Sequence, residues 1–397
     1  ILSALTTVVP GTHAGVFDNW AYTAEIRFTG YNGGRDTLNG FPALVKLSPD
    51  IISGFDYNDL LSGSYNDLRF SDAAGTTELE FEVETWNPGG VSYVWVKLDQ
   101  LTDAGTAVKT VRAYWGKSSE TAPLYTSDGS VWDANHLAVW HFASSAADST
   151  GNGVDGSTAG NAGFSAAKIG NGVELDGNDD WVSFGDVDSM DQPVDLTVSG
   201  WYKRRADVDS DSNHGVRNIL IAQSSDTAND NLEIGTAGGN VDLYLDTGSG
   251  SPVDATTVHA ADMADGTWFH LAVSYDASAN TASLFVNGSL AAERDSLDGD
   301  FDVATTSPLS LGIARPNDAT RKWGDLNGLL DEIRLSNIPR SEDWLWAEFM
   351  AAASNDTAFT SYGGAEINGS APLAIANLAP TGITSTAANL NGYLTST

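Results

Sequence analysis

The sequence predicts an all-β protein built as two tandem β-sandwiches followed by a truncated third β module. Three observations carry this. The 397 residues include 40 Asp and 41 Gly but only 13 Glu, so turn formers are abundant and helix formers scarce. Apolar residues recur with period two in short runs separated by turn clusters such as Asn32-Gly33-Gly34 and Asn87-Pro88-Gly89-Gly90. A polar, Pro-containing stretch over 119–133 divides two blocks of this kind.

Charge and composition exclude several classes of function. With 19 Lys+Arg against 53 Asp+Glu, the net charge of −34 repels phosphate backbones and anionic lipid surfaces, so no nucleic-acid partner is expected. The absence of cysteine rules out disulfide scaffolds, zinc fingers, iron–sulfur clusters and thiol catalysis. An apolar content of 41%, with 10% aromatic residues, is enough for two packed cores.

In chain order, residues 1–14 read as the remnant of a signal peptide. An apolar run over 1–9 precedes Pro10 and Thr12-His13-Ala14, a small-residue cleavage pattern before Gly15. Export without cysteine points to a secreted or bacterial cell-surface protein. No stretch reaches the ~18 apolar residues of a membrane span. The first block, 16–118, carries strands at 22–28, 41–47, 67–70, 78–86, 91–98 and 109–115. The second, 134–363, has clear strands at 197–203, 241–245, 268–275 and 282–286, with Asn287-Gly288 as a hairpin turn requiring positive φ. One helix is expected over 341–352, with Ser341 as its N-cap and acids in its first turn.

Five motifs in order, Phe41-Pro42-Ala43-Leu44-Val45-Lys46-Leu47, Asn66-Asp67-Leu68-Arg69-Phe70-Ser71-Asp72, 79–86, Val94-Trp95-Val96-Lys97-Leu98 and Ala113-Tyr114-Trp115-Gly116, make residues 18–118 resemble the bacterial family called domain of unknown function 2341. That resemblance implies a β-sandwich module of large exported proteins and no activity. Residues 134–352 resemble the laminin-G-like, concanavalin A-like jelly rolls through Ala138-Val139-Trp140-His141-Phe142, 169–177, Thr197-Val198-Ser199-Gly200-Trp201, Trp268-Phe269-His270-Leu271-Ala272-Val273, Leu284-Phe285-Val286-Asn287-Gly288 and 328–335. This second resemblance implies binding of carbohydrate or protein partners, often with Ca²⁺. An acidic insert at 206–217 departs from the pattern. Residues 371–397 resemble the opening strands of a fibronectin-III-like repeat.

Three constellations carry candidate chemistry. The loop 148–156 offers carboxylate and amide oxygens on a Gly-relieved turn, suited to a hard cation. The resembled fold makes the first and last strands neighbours, which would bring Asp331 to this loop; Asp148, Asn152, Asp155 and Asp331 are the expected Ca²⁺ ligands. The loop 176–180 reads as an ordinary turn. Secondly, Glu78, Glu80, Glu82 and Glu84 alternate along one predicted strand, which spaces their carboxylates at ~7 Å on one face. Retaining glycosidases need a carboxyl pair about 5–5.5 Å apart, so Glu80, Glu82 and Glu84 are the catalytic candidates. The competing reading, preferred here, puts Leu79, Phe81 and Val83 in the core and the glutamates in water. Thirdly, Trp323 stands in a polar loop where its ring could stack on a sugar, with Arg217, His214 and Tyr244 as polar neighbours. Trp140, Trp201 and Trp268 read as core, and His141 and His270 as hydrogen-bonded structural residues. Serine-hydrolase elbows and phosphate loops do not occur, and no Gly-rich stretch stands between a strand and a helix as a dinucleotide fingerprint does.

The expectation is therefore a secreted or cell-surface, non-catalytic protein whose second domain binds a polysaccharide or glycoconjugate with structural Ca²⁺. A structural or adhesive protein that self-associates or binds surface proteins is the alternative, and a glycoside hydrolase using 78–84 is a third reading.

Overall fold

The computed structural model describes residues 15–190, 194–206, 218–224, 232–237, 240–245, 253–254, 258–259, 264–295, 307–316, 324–369, 373–381 and 389–396. These are nearly all sheet, as the composition requires.

In the first sandwich, Tyr22–Arg27 pairs with Thr110–Trp115, which pairs with Arg69–Asp72, which pairs in turn with the short Glu78–Leu79. The facing sheet is Pro42–Leu47, Ser92–Lys97 and Phe81–Thr85. Ile26, Val111 and Phe70 from one sheet meet Val45, Val94 and Phe81 from the other in a single core, with the Phe70 and Phe81 rings edge to face at 5.2 Å.

The second sandwich is two larger sheets. In the near sheet Asn327–Ser336 is flanked by Leu196–Ala206 and by Asn171–Asp176, and the end of Asn327–Ser336 beyond the latter pairs with His136–Trp140. First and last strands are thus neighbours, as the resemblance implied. The far sheet runs through Trp181–Gly185, Leu309–Leu311, Asn218–Gln223, Leu232–Ala237 and Asn240–Leu245. Trp140, Leu175, Tyr202 and Phe269 pack against Ile221, Ile234 and Leu243 between the sheets.

The two sandwiches are not beads on a string. The core of the first continues through Val131 and Trp132 of the expected linker into Val139, Ile169, Trp201, Ala272 and Phe285 on the outward face of the near sheet. The helix Glu342–Ala353 is wedged at the same junction. The Ser341 side chain caps it, accepting from the Trp344 N–H at 3.2 Å. Trp344 meets Phe41 of the first sandwich at 5.1 Å, while Phe349 stacks on Trp201 of the second at 5.7 Å. Beyond the helix the chain returns to the first sandwich, where Ser361–Tyr362 and Glu366–Ile367 pair with Tyr22–Arg27. Farther on, Leu373–Thr381 and Asn389–Ser396 pair as an antiparallel ribbon. Among the described residues no helix is long and apolar enough to cross a membrane.

Candidate functional site

The junction buries a cluster of charged side chains, and the sequence explains how each arrives there. The single strand expected over 78–86 is two strands: Glu78–Leu79 belongs to one sheet and Phe81–Thr85 to the facing one, with the chain crossing at Glu80. The four glutamates therefore separate. Glu78 accepts from the Tyr125 hydroxyl at 2.5 Å, and Glu80 pairs with Lys97 at 2.8 Å. Phe81 fills the first core, so period two turns Glu82 and Glu84 outward. That outward face meets the second sandwich, which corrects the expectation that these glutamates sit in water. The Trp132 indole N–H donates to Glu82 at 2.9 Å, and the Trp95 indole to Glu84 at 3.0 Å.

The second sandwich answers with Asp331, Glu332 and Arg334. In a regular strand Asp331 and Glu332 would face opposite sides. Here Ser199 pairs with Arg334 and Trp201 with Asp331, so Glu332 and Ile333 together oppose Gly200, forming a bulge with Glu332 at φ 53°. The bulge resets the alternation. Ile333 and Leu335 enter the second core, and Arg334 lies over the Trp95 ring at 4.5 Å. A Cβ at Gly200 would lie 2.3 Å from Ile333 Cδ1 and 3.2 Å from Ile333 Cα, so the Ile333 side chain would have to move. His141 alternates with Trp140 and Phe142 of the core and points the other way, its Nδ1 2.6 Å from Glu332 Oε1 and its Nε2 3.7 Å from Glu82 Oε1. Arg334 donates to Glu332 Oε2 at 2.9 Å.

Acids outnumber bases in this enclosed space, and the electrostatics follow. Burial, then the neighbouring Glu332 charge, push the Glu84 carboxyl well above its ordinary range; burial, Glu332 and Glu84 do the same to Asp331. Burial opposes charge on His141 as well, but Glu332 and Glu82 outweigh it and raise the imidazole well above its usual value. Glu332 is in turn held low by His141 and Arg334 against its burial. One layer further in, Glu348 accepts from Ser199 at 2.5 Å and lies 3.2 Å from His270. Ligand atoms of Glu84, His141 and Glu332 all lie within 4.8 Å of one another.

The other expected site residues lie elsewhere. Both Asp148 oxygens are engaged by the chain's own donors: Oδ1 accepts the Val139 and Thr150 N–H groups, and Oδ2 accepts the Thr150 hydroxyl and the Val154 N–H. Asp155 accepts from the Asp148 N–H, and the Asn152 amide donates to the His136 and Leu137 carbonyls. Asp331 does not join them. Its Oδ2 accepts the Ile169 N–H inside the junction. Within the 176–180 loop, buried Asp180 accepts the Asp176 and Asn161 N–H groups, as a turn residue does. Trp323, Arg217 and His214 lie outside the described residues. Tyr244 is partly exposed on the face of the far sheet that points away from the core, register partner of buried Glu233. Sequence reasoning missed Glu332 and Arg334 as site residues. The available signal was the run Asp331-Glu332-Ile333-Arg334, three charged residues in a strand too apolar at its ends to be a loop.

Residues 176–345 match the concanavalin A-like lectin/glucanases superfamily. Residues 64–132 match the domain of unknown function 2341, ahead of it in the chain. The concanavalin A-like segment contributes Asp331, Glu332 and Arg334 to the junction, the 2341 segment contributes Glu82, Glu84, Trp95 and Trp132, and His141 falls between the two matches. No curated protein matches the chain. Among solved structures, the binding domain of Paraclostridial Mosquitocidal Protein 1 is similar with TM-score 0.44 and 14% identity, over 55% of this chain and 53% of that one. Domain 4 of AbnA, a GH43 extracellular arabinanase from Geobacillus stearothermophilus in complex with arabinotriose, gives TM-score 0.41 and 21% identity over 54% and 98%. The botulinum neurotoxin serotype D binding domain gives TM-score 0.41 and 13% identity over 54% and 51%; the chain thus spans about half the length of the two toxin domains.

Proposed function

We propose that this chain is an exported, non-catalytic binding protein of the bacterial surface whose concanavalin A-like sandwich takes a carbohydrate or glycoconjugate. The observation that carries the reading is Tyr244, partly exposed on the outward face of the far sheet. A phenol ring gives a flat surface for the C–H face of a pyranose. The match of 176–345 to a superfamily of lectins and glucanases supports this use of the fold. The non-catalytic part is supported by the state of the glutamates: the Glu84 side chain is fully enclosed, and Glu82 is held by Trp132 and Ser149.

Ca²⁺ belongs to the proposal as a structural support beside the loop 148–156. The exposed oxygens of Asn152 and Asp155 rim a groove of about 510 Å³ that Asp186 and Asp188 also line.

Affinity-gel retention of the full chain on a panel of polysaccharides, with and without chelator, tests both parts. Retention on at least one polysaccharide is expected, weakened about tenfold by Tyr244→Ala and reduced by chelator. No retention on any of them overturns the carbohydrate reading.

A further inference from the structure

We propose that the junction is itself a metal site, in which Glu84, His141 and Glu332 bind a divalent first-row transition ion, Zn²⁺ being the best matched, between the two sandwiches. The three ligand atoms lie within 4.8 Å of one another, and metal bonds of about 2.0–2.2 Å would draw them in to about 3–3.6 Å. The donor set selects the ion. One imidazole nitrogen with carboxylate oxygens suits Zn²⁺ or Mn²⁺, whereas Ca²⁺ takes oxygen alone.

Trp95 donates to Glu84 Oε2 and Arg334 to Glu332 Oε2, and the oxygens that face His141 Nδ1 are Glu332 Oε1 at 2.6 Å and Glu84 Oε2 at 3.9 Å. Four buried atoms of the cluster have no hydrogen-bond partner: Glu84 Oε1, His141 Nε2, Asp331 Oδ1 and Arg334 Nε. Glu84 and Asp331 have no exposure at their side chain and residue respectively, and leaving a polar atom so enclosed without a partner is unfavourable. An ion bound at His141 Nδ1, in place of the proton shared with Glu332, would bring the Glu84 carboxylate in as a ligand and leave Nε2–H pointing to Glu82 Oε1, 3.7 Å away, as the outer-shell carboxylate of a metal-bound histidine. The ion would add positive charge among four acidic side chains, Glu82, Glu84, Asp331 and Glu332, that share the Arg334 guanidinium and the His141 imidazole. On the outer side of Glu84, its Oε1 would lie 2.9 Å from a Cβ at Gly170, a residue that also lines a surface pocket of about 280 Å³ with Thr85, Asn87 and Tyr93.

The test uses the full chain stripped with chelator, then titrated with Co²⁺, read by its visible absorption, and with Zn²⁺, read by calorimetry and by the shift in Tm. The expected result is one saturable site with the absorption of nitrogen- and oxygen-bound Co²⁺, displaced by Zn²⁺ and not by Ca²⁺, and a Tm that rises with Zn²⁺ concentration. Glu84→Gln and the outer-shell variant Glu82→Gln should each weaken binding at least ~10-fold, and Asp155→Asn should leave it unchanged. Absence of saturable Co²⁺ or Zn²⁺ binding by the folded wild-type chain overturns the proposal, whatever the variants do. So does binding that survives Glu84→Gln and disappears in Asp155→Asn, which would place the ion in the loop.

Discussion

The Ser149 hydroxyl donates to Glu82 Oε1 at 2.7 Å, tying the loop after the first strand of the second sandwich to the strand Phe81–Thr85 of the first. Trp132 holds the other oxygen of the same carboxylate, so one side chain secures two donors from different parts of the chain. Removing it leaves both unpaired at a junction from which water is largely excluded. Glu82→Ala is expected to lower stability by about 2–4 kcal/mol, since each stranded donor costs ~1–3 kcal/mol. Ser149→Ala alone should cost less, and a double-mutant cycle should return a coupling of at least ~0.5 kcal/mol. Strict additivity in denaturant melts would mean that the bond does not contribute.

The bulge at Glu332 leads to a second prediction. Gly200→Ala introduces a methyl group 2.3 Å from Ile333 Cδ1 and 3.2 Å from the Glu332 carbonyl oxygen. The buried Ile333 side chain must move and the bulge backbone give by a few tenths of an ångström, at a cost of about 1–3 kcal/mol, and this should disturb the carboxylates that the bulge aims at the junction. Thermal unfolding reads the first effect, and loss of indole fluorescence perturbation at Trp95 and Trp132 reads the second. A Tm within error of the wild type would show that the bulge tolerates the added methyl.

Glu348 gives the pH dependence. Burial works against its charge, but Arg334, His270 and Ser199 hold its carboxyl at about 2, below the ordinary value of 4.5. A group whose folded value is depressed contributes stability that is present above the unfolded value and is lost as pH falls toward the folded one. The contribution, on the order of 3 kcal/mol, should therefore be complete above pH ~5 and disappear as the pH approaches 2. Asp133, held low by Arg340 and His136 against its own burial, adds a loss in the same direction. Stability measured between these limits should fall more steeply in the wild type than in Glu348→Gln. Equal slopes would contradict the assignment.

How much of this was legible in the sequence depends on whether the determinant was local. The Asn287-Gly288 turn was, and the structure has both residues at positive φ, 49° and 71°. The Ser341 cap was legible for the same reason. The face of Glu82 and Glu84 was not, because period two says that they oppose Phe81 and Val83 but not whether that opposite side meets water. The residues that cover it, Ser149, His141 and Glu332, lie at least 57 positions along the chain, counted from Glu84 to His141. Nor was the phase shift at Glu332, since nothing at that position marks a bulge; the small residue that permits it, Gly200, sits on the neighbouring strand. Asp148 shows a further limit. An aspartate that caps its own loop and one that ligates Ca²⁺ occur in the same Gly- and Asn-rich setting, and only the four donors around its oxygens distinguish them.

The central claim is that the two sandwiches are one body, joined by a continuous core and a buried charged cluster. Differential scanning calorimetry of the full chain tests it most directly. The account predicts one cooperative transition whose calorimetric and van't Hoff enthalpies agree, shifted as a whole to lower temperature by Trp132→Ala, which removes about 3–5 kcal/mol of burial. Two separate transitions, with only one of them moved by that substitution, would contradict it.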